Sequence, residues 1–166
     1  EFDIDELISE CVQLVKPLAA DRGITIESQL ESFSLWGDRE RFSQVIVNLL
    51  TNAIRYNRDG GSIRIEAALD GQEAVITVAD SGIGIAETDL PHIFDRFYRV
   101  DKARSRVEGG SGLGLAICRT IVVAHGGTIT ARSQLDVGTT VEVRIPTEAA
   151  KHFQTPTVLQ QSVIHS

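Results

Sequence analysis

The chain has 166 residues, 42% of them hydrophobic and 23% charged, an ordinary globular composition that can bury a core and argues against disorder of the whole chain. Its 16 Lys and Arg against 23 Asp and Glu leave a net charge of −7, which argues against nucleic acid as a partner, since that affinity rests on clustered basic residues. No apolar run approaches the roughly 20 residues of a membrane helix, and the acidic opening does not read as a secretory signal.

In chain order, residues 3–21 carry helical spacing, with Ile4, Leu7, Ile8, Cys11, Val12, Leu14 and Val15 as the apolar stripe and Asp3 with Glu6 as a capping pair. Gly23 suits the left-handed position that closes a helix, and 24–30 alternate as a strand. Asp38 caps the clearest helix, 38–57, whose buried face is Phe42, Val45, Ile46, Leu49, Leu50, Ala53 and Ile54. Two strands follow, 62–69 and 73–79, joined by Asp70-Gly71, a hairpin signal. A glycine-rich turn spans 80–84. Residues 88–97 read as a short helix starting near Pro91, and 98–110 as a polar, basic, mobile loop. A helix over 111–125 closes at Gly126-Gly127. Strands at 128–133 and 139–145 flank a turn at 136–138. This order predicts an α+β fold: a two-layer α/β sandwich with one mixed, mostly antiparallel sheet and helices on one face. The domain is expected to span 1–147, with 148–166 a flexible tail. Cys11 and Cys118 have no metal-ligand spacing and are expected as buried packing residues. From the absence of methionine we expect a domain that belongs to a longer protein.

Three places attract chemistry. Asn48 and Asn52 stack four apart on the second helix, with Arg55 and Tyr56 beyond them, on a stripe at the edge of the apolar face. An amide oxygen there suits Mg²⁺ that already carries nucleotide phosphates. A solvated polar face is the ordinary alternative. Asp80-Ser-Gly-Ile-Gly-Ile85 places a carboxylate at a strand end before a sharp bend, where it would accept from an exocyclic amine; a simple loop turn is the alternative. Gly109-Gly-Ser-Gly-Leu-Gly-Leu115 leads straight into a helix, whose free N–H groups and positive end attract anions. Arg99, Lys102, Arg104 and Arg106 lie just upstream, either for phosphate or as stray solvated charges.

Taken in order, these motifs resemble the ATP-binding catalytic domain of sensor histidine kinases, in the wider group that includes gyrase, the Hsp90 chaperones and MutL. Asn48-Leu-Leu-Thr-Asn52-Ala-Ile-Arg-Tyr-Asn57 resembles the N box, Asp80-Ser-Gly-Ile-Gly84 the G1 box, Phe94-Asp-Arg-Phe97-Tyr-Arg99 the F box that marks the kinases, and Gly110-Ser-Gly-Leu-Gly-Leu115 the G2 box. Val137-Gly-Thr-Thr140 is similar to the closing turn. The likeness covers about 1–147 and implies the Bergerat ATP-binding fold.

The resemblance implies roles. Asn52 holds Mg²⁺ with Asn48 in support, and Arg55 and Tyr56 contact phosphate or ribose. Asp80 binds the adenine amine, helped through water by Thr140, in a pocket shaped by Gly82, Gly84 and Ile85. Phe94 and Phe97 anchor a lid. Arg99 and Arg104 reach the terminal phosphates, with Arg99 favoured to stabilise charge during transfer. Gly110, Ser111, Gly112, Leu113 and Gly114 cradle phosphates. Arg55 stands where Lys is commoner in the family and Ser111 where Thr is frequent. None of His92, His125, His152 and His165 has the context of a phosphoacceptor, so the acceptor is expected on a histidine-bearing dimerisation hairpin elsewhere in the parent. The implied activity is transfer of phosphate from Mg-ATP to that histidine, for relay to a response regulator, in the cytoplasm. This fragment is expected as a monomer and its parent as a homodimer. An ATP-hydrolysing clamp is less favoured, since the amide of Asn48 stands where those relatives carry a general-base Glu. A degenerate nucleotide-binding or interaction module is the third reading.

Overall fold

A computed structural model describes residues 1–98 and 113–147. Among the described residues the elements run β1 (Phe2–Asp3), α1 (Ile4–Asp21), β2 (Thr25–Leu30), β3 (Ser34–Leu35), α2 (Arg39–Arg55), β4 (Ser62–Asp70), β5 (Glu73–Asp80), a 3₁₀ turn (Leu90–His92), α3 (Gly114–Ala124), β6 (Thr128–Gln134) and β7 (Gly138–Pro146). Five strands form one sheet in the order β2-β4-β5-β7-β6. Only the β2–β4 pairing is parallel. This is the mixed, mostly antiparallel sheet of an α+β sandwich.

The sheet alternates as a half-covered sheet must. Ile63, Ile65 and Ala67 of β4, Ala74, Ile76 and Val78 of β5, and Val143 and Ile145 of β7 are buried and meet the helices. All seven apolar positions expected of α2 are buried, and this helix is the middle of the helical layer, packed between α1 and α3. Asp38 caps it by accepting from the Arg41 N–H at 3.2 Å. Gly23 closes α1 with φ +64°, and the β4–β5 hairpin turns through Gly71 at φ +61°.

Several details differ from the sequence reading. Leu14 is 67% exposed, so the buried stripe of α1 is narrower than its apolar residues suggest. Asp3 makes no capping bond; its carboxylate accepts instead from the Ser34 hydroxyl at 2.9 Å, beside the short β1–β3 pairing that the sequence did not signal. The expected helix over 88–97 is a single 3₁₀ turn followed by i+3 turns, His92 N–H to Asp89 and Asp95 N–H to His92. Only Ile93 is buried there, so no apolar stripe rewards a longer helix, and Phe97 at φ +64° cannot continue one. The last helix begins at Gly114, with the described Leu113 as its N-cap; residues 111 and 112 lie outside the described residues, as do all but the first residue of the expected loop at 98–110 and the whole 148–166 tail.

Candidate nucleotide-binding site

The site forms where the C-terminal end of α2, the end of β5 and the turn between β6 and β7 meet. Buried residues of β5 occupy alternate positions, and Asp80 continues their phase onto the helical side of the sheet. Its Oδ1 is fixed by two backbone donors, the Gly82 N–H at 2.9 Å and the Thr139 N–H at 3.2 Å. Its Oδ2 accepts no hydrogen bond among the described residues. Burial raises the Asp80 carboxyl above the usual range, and the two amide bonds pull the other way without cancelling it. The result is a carboxyl group with one oxygen fixed by two amides and the other without a hydrogen bond among the described residues.

The glycines explain how the backbone fits. A side chain at Gly82 would strike the Tyr56 carbonyl and come within 2.9 Å of Asp80 Oδ1 and 3.0 Å of Asn57 Cα, so the loop presses on the end of α2. The Ile83 N–H donates to that Tyr56 carbonyl at 3.1 Å. Gly84 has φ +72°, and a Cβ there would overlap the Gln134 carbonyl. Across the gap the Asp136 N–H donates to the Ile83 carbonyl at 2.9 Å, and the Ile85 N–H to Ser133 Oγ at 2.7 Å. The β6–β7 turn is thereby tied to the 81–85 loop.

The end of α2 is held by groups the sequence did not single out. Arg22 donates to the carbonyls of Ile54, Arg55 (3.0 Å) and Asn57 (2.7 Å) and pairs with Asp59 at 3.0 Å. It satisfies the carbonyls that every helix C-terminus leaves open. Asn57, the one buried polar residue among those described, donates to the Ser62 carbonyl at 3.1 Å and accepts from the Arg58 N–H at 2.8 Å. Ser81 Oγ lies 3.4 Å from its Oδ1. The only sequence signal for Asn57 was its place at the end of the N box; nothing marked Arg22.

On α2, Asn48 is half-buried and donates to the Gly114 carbonyl at 3.4 Å, so it joins α2 to the start of α3. One turn on, the half-buried Asn52 amide makes no hydrogen bond among the described residues. Arg55 and Tyr56 follow at the helix end, Tyr56 41% exposed. The C-terminal end of α3 is pinned as well. His125 Nδ1 donates to the Ile121 carbonyl at 2.7 Å, and Nε2 accepts from the Asp38 N–H at 3.2 Å, with the ring 4.4 Å from that of Phe42. These two pins make α2 and α3 antiparallel and set the start of α3 toward the site. Nδ1 is thus the donor of this ring and Nε2 its acceptor.

One sequence assignment is corrected. Asp80 faces Thr139 in the register, while Thr140 pairs with Ala79 on the other side of the sheet, so Thr139 and not Thr140 stands beside the carboxylate. In this segment Ile93 is buried, Phe94 half-buried and Phe97 69% exposed; the lid that Phe94 and Phe97 are expected to anchor lies outside the described residues. The Tyr98 hydroxyl donates to Asp89. Leu113 and Gly114 open α3. Arg99, Arg104, Gly110, Ser111 and Gly112 lie outside the described residues.

Residues 37–149 match the family model described as histidine kinase-, DNA gyrase B- and HSP90-like ATPase. The chain belongs to this ATPase family. Sensor histidine kinase RppB of Synechocystis is 40% identical over 145 residues, 86% of this chain and 32% of its own length. The histidine-protein kinase BaeS of Escherichia coli is 42% identical over 130 residues, 78% of this chain and 28% of its own. The chain thus spans about a third of the length of these relatives. Among solved structures, histidine kinase ThkA in complex with response regulator TrrA superposes with a TM-score of 0.73 at 29% identity, covering 90% of this chain and 42% of that one. Within the ATPase family the chain is an ATP-binding catalytic domain of the sensor histidine kinase type, with the Bergerat fold.

The residues fit the nucleotide that the family uses. A carboxylate with one oxygen committed and one open, above glycines that leave no room for side chains, suits a purine amine. No group of three or more His, Cys, Asp or Glu that could hold a metal ion occurs among the described residues.

Proposed function

We propose that the domain binds ATP with Mg²⁺ and supplies its γ-phosphate to a histidine on a separate dimerisation hairpin of the parent protein, for relay to a response regulator. The observation that carries this reading is Asp80: its Oδ1 is held by the Gly82 and Thr139 amides and its Oδ2 is open. In this reading Asp80 Oδ2 accepts from the adenine amine, and Gly82, Gly84 and Ile85 bound the base. Asn52 holds Mg²⁺ through its amide oxygen, with Asn48 in support, and Arg55 and Tyr56 meet ribose or phosphate. Bound Mg²⁺ supplies neutralisation of phosphate charge. Gly110, Ser111, Gly112, Leu113 and Gly114 bring backbone N–H groups and the positive end of α3 to the phosphates, while Arg99 and Arg104 reach the terminal ones. The phosphoryl group leaves ADP and bonds to an imidazole nitrogen. ATP use places the domain in the cytoplasm, in a parent that is a homodimer, whereas the domain by itself is a monomer.

Hydrolysis is disfavoured by a specific contact. The Asn48 side chain donates to the Gly114 carbonyl, and an amide cannot take a proton from water. Calorimetric titration of ATP with Mg²⁺, followed by incubation with labelled ATP and a histidine-bearing hairpin, tests the reading. Saturable binding and acid-labile label on the hairpin are expected. Binding without transfer to any such hairpin would favour the degenerate module.

A further inference from the structure

Ser133 Oγ is the junction of the contacts around Asp80. The Ile85 N–H donates to it at 2.7 Å, the Gly138 carbonyl lies 3.0 Å away and Thr139 Oγ1 lies 2.8 Å away. A hydroxyl has one hydrogen and two lone pairs. The Ile85 amide occupies one lone pair. The Gly138 carbonyl only accepts, so the Ser133 hydrogen goes to it. The Thr139 hydroxyl must then donate to the second lone pair. Every valence of Ser133 Oγ is filled, and Thr139 Oγ1 keeps only lone pairs for anything else it meets. Thr139 is the cross-strand partner of Asp80, and its N–H holds Asp80 Oδ1. As cross-strand partners, Asp80 and Thr139 share one face of the sheet, and the side-chain oxygens they leave there, Asp80 Oδ2 and Thr139 Oγ1, are acceptors alone.

We propose that Ser133 is a specificity-positioning residue: by taking the hydrogen of Thr139 it fixes an acceptor-only edge beside Asp80, which admits a 6-amino purine and rejects a 6-oxo purine. This rests on the reading of the site as a nucleotide site. A 6-amino group offers two N–H donors to that edge. A 6-oxo group sets lone pairs against lone pairs and leaves polar groups unpaired, the situation in which sites discriminate most strongly. Without the Ser133 hydroxyl, Thr139 is free to turn its own hydrogen toward the ligand and meet a carbonyl. The Ile85 amide also loses its acceptor, which loosens the 81–85 loop for every nucleotide alike. The two effects separate, because loosening lowers all affinities and only the change at Thr139 alters the preference between bases.

The test is titration of Mg-ATP and Mg-GTP into the unmutated chain and into Ser133→Ala, Ser133→Thr and Ser133→Cys, with thermal melts of each. The unmutated chain should prefer ATP. Ser133→Ala should lower the ATP-to-GTP preference about tenfold, one hydrogen bond's worth, and Ser133→Thr, which keeps the hydroxyl, should retain it. Ser133→Cys fills the same volume with a weak hydrogen-bonding group and should follow Ala, which decides the matter if Ser133→Ala does not fold. An unchanged preference in Ala and Cys, even with weaker binding, would overturn the proposal and leave Ser133 a structural residue. Equal binding of ATP and GTP by the unmutated chain would overturn the acceptor edge while leaving a nucleotide site. Binding of neither would overturn the nucleotide reading and this inference with it.

Discussion

Replacing Asp80 with Asn should move stability and binding in opposite directions. The Asn carbonyl can keep both bonds of the present Oδ1, from the Gly82 and Thr139 amides. The amide cannot turn over, because its NH₂ would then face two N–H donors. Its nitrogen is forced into the place of Oδ2, where a donor replaces the acceptor that a purine amine needs. A charged hydrogen bond is worth about 1.5–3 kcal/mol, so ATP affinity should fall roughly ten- to over a hundredfold. Stability without nucleotide follows the other sign. Burial raises the Asp80 carboxyl in the folded state above its unfolded value. The stability that the protonated form contributes is fully present below the unfolded pKa and is lost as pH rises through the folded one. Above both, the unmutated chain carries the cost of a half-buried charge and Asp80→Asn does not. The variant should match the unmutated chain in acid, gain on it as pH rises, and hold a constant advantage at neutral pH. Calorimetric titration and denaturant unfolding from pH 3 to 8 measure the two arms. A variant that binds ATP normally, or that is less stable than the unmutated chain at neutral pH and equal in acid, would refute the reasoning.

Four further outcomes follow from the contacts. Arg22→Ala removes one guanidinium from three α2-end carbonyls; with its side chain 33% exposed, water replaces part of the loss, so about 2 kcal/mol and a fall in Tm of roughly 4–8 °C are expected in a thermal melt. Gly138→Ala puts a methyl onto the Asp80 carbonyl group, whose carbon lies 2.9 Å from the ideal Cβ, and should cost more than about 2 kcal/mol by denaturant unfolding and abolish ATP binding. His125→Ala should cost about 2–3 kcal/mol, since it strips the acceptor from the Asp38 N–H and the ring from Phe42, with faster amide exchange at Asp38 as the local check. Burial pushes the fully buried Cys118 thiol up to about 12, so a thiol reagent at pH 8 should label it only in denaturant.

The sequence by itself determined whatever repeats locally or sits at fixed spacing. The α2 face from Phe42 to Ile54 was legible because steps of three and four place side chains on one side of a helix. Asp70-Gly71 was legible because a two-residue hairpin demands a left-handed residue. Asp80 and its glycines stood out because a carboxylate before a flexible bend is a local pattern, and the order of the boxes tied them into one site. What only the tertiary structure decided lies between residues far apart in the chain. Arg22 reaches the end of α2 from the end of α1, 35 positions from Asn57, and His125 grips the Asp38 amide across 87 positions. The choice of Thr139 over Thr140 depended on the β5–β7 register, where a shift of one residue changes the face of the sheet. Ser133 carried no signal at all, since a serine in a strand becomes a junction only when a loop and a turn supply the donors and acceptors around it. Periodicity says which side of an element faces inward; which polar group it meets there is set by how the elements pack.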